Sequence, residues 1–193
     1  MRPVLDAQYL TTWIWTVLAL LCAAAAFLAT EGRWLDAGVL VATLACGLGF
    51  IRVQDRLPRL FNLFFVLAGA FNAAAYVFNL WDRIGIYDEL MHVYTSFAVA
   101  AAFGYLALDR RFLGDASLWP FVAAVAAFGF GVGVLWEVFE WAIGMIGDRV
   151  DTAIDLVMDT LGAVAAGLFC AWAVNRRSQG ARARYAGPAD LSP

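Results

Sequence analysis

Six long apolar stretches, at about residues 10–29, 35–53, 60–80, 90–108, 118–146 and 153–174, limit what this chain folds into more than any other feature. The hydrocarbon core of a bilayer is about 30 Å thick, which a helix of about 20 apolar residues crosses. Lipid offers no hydrogen bonds, so each stretch must satisfy its own backbone, which a helix does. The expected fold is all-α: a single polytopic membrane domain over residues 1–174 with six transmembrane helices. Composition agrees, with 63% apolar and 15% charged residues, where a soluble domain has about half and about a quarter. Gly47 and Gly49 interrupt the second stretch, which membrane helices tolerate. The fifth exceeds one crossing and is expected to tilt or bend. The first is longer than the apolar core of a signal peptide and is read as a membrane helix. Cys22, Cys46 and Cys170 each lie within an apolar run, without metal-binding or disulfide spacing, and read as small core residues.

Six crossings put both termini on one side. On that side fall Arg2, Arg52, Arg56, Arg59, Arg110, Arg111, Arg176, Arg177, Arg182 and Arg184; the opposite loops carry Arg33, Arg83 and Arg149. The asymmetry makes both termini cytoplasmic. Tryptophans fit the two interfaces, with Trp13, Trp15, Trp119 and Trp172 at one and Trp34 and Trp81 at the other. Residues 175–193 read as a disordered basic cytoplasmic tail within reach of anionic lipid. The all-Arg basic set and high Ala content suit a GC-rich bacterial genome.

The acidic residues gather. In YDELMHVYTSF the fourth expected helix opens with Asp88, Glu89 and His92, the last two sharing a face at a spacing of three. In GVLWEVFEWAIG the fifth carries Glu137 and Glu140, and Gly133 and Gly144 extend that stripe. In DRVDTAIDLVMDTLGA, Asp151, Asp155 and Asp159 step by four, with Gly162 and Ala166 below them. Asn72, Tyr76 and Asn79 share a face of the third helix, with Asn79 near the same level. The topology places all of these at the extracytoplasmic ends of their helices. A site on helices within about 76–170 is therefore expected.

An ionised carboxylate deep in a membrane helix costs about 2.5–3.5 kcal/mol. Glu137, Glu140, Asp155 and Asp159 together would cost about 10 kcal/mol if bare, comparable with the whole stability of a domain, about 5–15 kcal/mol. Arg149 alone cannot neutralise them, so a bound divalent cation is the economical expectation, with shared protons as the competitor. An oxygen-rich set with one imidazole suits Mg, Mn, Fe or Zn. The expected metal ligands are Glu89, His92, Glu137, Glu140, Asp155 and Asp159, supported by Asp88, Asp151, Arg149 and Asn79. Blander roles compete: His92 as a hydrogen-bonded interface histidine, Asp88 and Asp151 as helix caps, Glu137 and Glu140 as snorkelling residues. The pair Gly129 and Gly133 reads as a close helix contact.

DELMH, WEVFEW and DRVDTAIDLVMDTLGA resemble the YjdF-type family of uncharacterised bacterial inner-membrane proteins, over roughly residues 76–170. More distantly, the order Asp88, His92, Glu137, Arg149, Asp155 and Gly162 is similar to that of VanZ-like membrane proteins. Glu140 and Asp159 stand where those carry Gln and Asn. The resemblance implies a fold and a site, without a settled activity.

Three functions follow from such a site. The first is a metal-dependent hydrolase or transferase acting on a lipid-linked or phosphorylated substrate at the extracytoplasmic leaflet, with His92 and Glu137 as catalytic groups and Glu137 as general base. The second is a proton/cation-coupled transporter using the carboxylates as a relay. The third is an accessory membrane subunit whose metal is structural. The chain has no phosphate-cradling glycine loop and no nucleic-acid surface.

Overall fold

A computed structural model describes residues 7–51, 56–109, 117–145 and 149–185. The described residues form helices and connecting turns without a strand. In chain order the helices are α1 (Ala7–Thr30), α2 (Trp34–Ile51), α3 (Arg59–Phe78), the single turn α4 (Leu80–Arg83), α5 (Tyr87–Asp109), α6 (Leu118–Ile143) and α7 (Arg149–Tyr185). Five of them, α1, α3, α5, α6 and α7, are long and apolar enough to cross a membrane; the apolar part of α2, Trp34–Gly49, is shorter. The helix α7 runs on through Tyr185, so residues 175–185 are helical where a disordered tail was expected; 186–193 lie outside the described residues.

Large apolar side chains face outward along the spans, among them Trp13, Leu20, Phe130, Leu135, Val138 and Leu161. That pattern suits lipid as solvent, because apolar surface need not hide from hydrocarbon. Inside, the helices divide into two packed groups. Ile14, Leu21, Leu28, Leu40 and Tyr76 join α1, α2 and α3. Phe61, Ala100, Ala101, Val125, Ala163, Ala166 and Cys170 join α5, α6 and α7, with the start of α3 against them. The most extensive contacts are those of α5 and α6 with α7.

Small residues set how close those three helices come. A Cβ on Gly162 of α7 would overlap the carbonyl oxygen of Val93 in α5. On α6, Gly129 and Gly133 occupy the places where Cβ atoms would collide with Ala163 and Asp159 of α7. The expected Gly129/Gly133 contact is therefore present, and its partner is α7. Gly144 does something else. It takes a left-handed φ of 73° at the end of α6, and Met145 N–H bonds the carbonyl of Glu140 at 3.0 Å, a helix-ending motif. It stops the helix instead of extending the acidic stripe.

At one end of this group α5 and α7 begin and α6 finishes, so two helix N-termini face one helix C-terminus there. The positive ends of the α5 and α7 dipoles favour carboxylates in the first turns, and Asp88, Glu89 and Asp151 occupy them.

Candidate metal centre

On α5 the inward face is Asp88, His92 and Ser96, a spacing of four. With about 3.6 residues per turn, positions four apart diverge by about 40° and positions three apart by about 60° in the other sense. The face chosen by α7 contacts is the first. His92 is 7% exposed and Asp155 and Asp159 3% each. His92 Nδ1 lies 3.2 Å from Asp159 Oδ1, and Ser96 Oγ donates to the same oxygen at 2.5 Å. An ionised Asp159 is placed to accept from Nδ1–H, and Nε2 is turned the other way. Nε2 faces Asp88 Oδ1 at 3.7 Å and Asp155 Oδ1 at 3.8 Å. The three ligand atoms of Asp88, His92 and Asp155 lie within 4.8 Å of one another. The Asp88 side chain is 47% exposed, so the cluster opens on that side.

Beside it on α6, Glu137 is 3% exposed, and neither carboxylate oxygen has a hydrogen-bond partner among the described residues. Its charge acts on His92, Asp159 and Asp151. Thr152 lies beside Glu137, and its hydroxyl accepts from Trp141 Nε1 at 3.3 Å. Asp159 Oδ2 is likewise enclosed without a partner, in the crease left by Gly133. Glu140 is half-buried and interacts electrostatically with Glu137, His92 and Asp88. The same Glu140 and Asp88 act on the buried Tyr76 of α3.

Other expected site residues lie elsewhere. Glu89 points along the outer seam of α5 and α7, in a small cavity lined by Ile86, Leu90, Val93 and Met158. Asn79 adopts a left-handed φ of 53° between α3 and α4 and donates to Asp82 Oδ2 at 2.6 Å, so it shapes a turn. Asn72 returns its amide to the carbonyl of Ala68 at 3.0 Å. Arg149 and Asp151 are exposed at the start of α7, with Asp151 near enough to act on Asp88. Ser96 was the residue missed. Its signal is the spacing of four from His92, which an isolated serine in an apolar helix hides.

The family described as Predicted membrane protein (DUF2238) matches residues 9–176. The chain belongs to it. As a DUF2238 protein it is a multi-pass membrane protein, and the match runs from α1 into α7 and takes in every residue of the cluster. No curated protein and no solved structure matches the chain.

Proposed function

We propose that this DUF2238 protein binds a divalent cation between Asp88, His92 and Asp155 and uses it in hydrolysis or group transfer on a lipid-linked or phosphorylated substrate. One observation carries the binding step. Nε2 of His92 stands 3.7 and 3.8 Å from two carboxylate oxygens, beyond the 2.7–3.2 Å or so of a direct hydrogen bond. Ligands about 2.1 Å from a shared tetrahedral ion are about 3.4 Å apart, so the spacing suits donors around a cation. Asp159 behind Nδ1 completes a carboxylate–histidine–metal arrangement, which fixes the tautomer and raises ligand basicity. Mg, Mn, Fe and Zn all fit such donors.

In this reading Asp88, His92 and Asp155 would hold the cation, which would supply Lewis-acid polarisation and water activation on the side that Asp88 leaves open. Glu140, half-buried where water reaches it, takes the proton as general base, a role sequence reasoning gave to Glu137. Catalysis at one face is favoured over transit because every buried charged side chain among the described residues belongs to the site, and beyond it Ala100, Ala101, Val125, Ala163 and Ala166 fill the interior of α5, α6 and α7. We further propose that α2 also crosses the membrane, giving six spans, and that the arginine asymmetry sets both termini in the cytoplasm. The site then faces the extracytoplasmic leaflet of a bacterial inner membrane, in keeping with the YjdF-type resemblance.

Metal analysis of the detergent-purified protein tests the reading, against His92→Ala and Asp155→Ala. Stoichiometric metal in the wild type, lost in both variants, is the expected result. Metal-free, folded wild-type protein in buffers supplemented with Mg, Mn, Fe or Zn would overturn it. Turnover of lipid phosphates in detergent, compared with ion flux in vesicles, then separates enzyme from transporter.

A further inference from the structure

Three buried carboxylate oxygens beside the cluster lack a partner among the described residues: Oε1 and Oε2 of Glu137 and Oδ2 of Asp159. Both residues are 3% exposed. Protonation alone does not resolve this: the Thr152 hydroxyl beside Glu137 can take at most one O–H, which leaves the other Glu137 oxygen and Asp159 Oδ2 unmet. A cation satisfies several acceptors together. The two residues also lie on one surface. Asp159 Oδ2 fills the place of a Cβ on Gly133, and Glu137 follows Gly133 on α6 by one turn, about 6 Å of rise. Thr152 adds a hydroxyl at the same spot, held by Trp141.

We propose that the pocket holds a second divalent cation, between Glu137 and Asp159 Oδ2, beside the one at Asp88, His92 and Asp155. This rests on the first cation site and deepens it to a paired centre. Asp159 links the two halves, one oxygen orienting His92 and the other holding the second ion. Glu137 is then a ligand of the second ion. Two cations held this way would supply positive charge on both sides of a phosphate-type group. A phosphate ester is therefore the substrate class the centre fits.

The test uses Mn(II) binding to the full-length protein in detergent, measured by equilibrium dialysis and by electron paramagnetic resonance. The wild type is expected to take up about two ions per chain, with the spectrum of a coupled pair. Glu137→Gln is expected to fall to about one ion per chain, with an isolated-ion spectrum. Saturation of the wild type at about one ion, with an isolated-ion spectrum, overturns the second site and leaves the first standing. A wild type that binds no Mn(II) overturns both. The wild-type stoichiometry decides even if Glu137→Gln fails to fold.

Discussion

Gly133→Ala, compared with Gly131→Ala, separates the site's packing from the general behaviour of α6. The two glycines are two residues apart on one helix. A Cβ at Gly131 meets nothing within 4 Å, whereas at Gly133 it collides with Asp159 Oδ2 and lies 2.8 Å from its Cγ. Both substitutions share the gain in helix propensity, about 1 kcal/mol in soluble hosts. Only Gly133→Ala adds overpacking, about 1–3 kcal/mol. The stability difference between the variants should therefore be about 1–3 kcal/mol, read from unfolding in detergent. The displaced carboxylate also releases its 3.2 Å contact with His92 Nδ1. Loss of such an orienting partner lowers metal affinity about 10–100-fold, or about 1.4–2.8 kcal/mol, read by calorimetric titration. Equal stability and equal affinity in the two variants would refute the reasoning, because they would mean that Asp159 does not occupy the Gly133 crease.

Other outcomes follow from the same geometry. Gly162→Ala should destabilise more than Gly133→Ala, since its Cβ meets the backbone oxygen of Val93, which cannot rotate away; thermal unfolding checks the order. Glu89→Gln should leave metal stoichiometry unchanged, because Glu89 lines the outer seam, and a lost ion would return it to the site. Saturating metal at about 100 times Kd should stabilise the protein by about 2.7 kcal/mol per site over chelator-treated protein, measured as a rise in unfolding midpoint that Asp88→Asn and His92→Ala reduce.

The long helices were legible from hydropathy because lipid imposes length and the backbone imposes helix; the five long helices follow the expected stretches closely. Convergence of α5, α6 and α7 was legible too, since carboxylates cluster at helix ends that topology brings together. Register on α5 was not. Glu89 and Asp88 are neighbours, both acidic and both near His92 in sequence, and spacings of three and four each place a pair on one helical face. What selects Asp88 is the approach of α7, set by Gly162 against Val93, a contact between residues far apart in the chain. Asn79 misled for a local reason. Periodicity assumed helix through residue 79, but the chain turns there with a left-handed φ of 53°, a conformation Asn tolerates better than most residues.

The arrangement also bears on why so acidic a site can exist in an apolar chain. Ion pairing does little: Arg33 bonds Asp36 at 2.7 Å, and Arg149 is exposed at the start of α7. Two other sources contribute. The N-termini of α5 and α7 favour Asp88 and Asp151, by about 0.3–1 kcal/mol each, an effect that fades within the first turn. Asp155 and Asp159 lie one and two turns deeper and receive little of it. Hydrogen bonds from Ser96 and His92 serve one oxygen of Asp159; its other oxygen and both of Glu137 are left without a partner among the described residues. Glu89 Oε2, in the first turn of α5, is also buried without a partner among the described residues, but on the outer seam; within the cluster the unmet demand lies on Asp159 and on α6, close to the only imidazole. A cation there would offset a cost that the dipoles cannot reach. It would also tie α6 to α7 where Gly133 already brings them into contact, so metal loading and the packing of these two helices should rise and fall together.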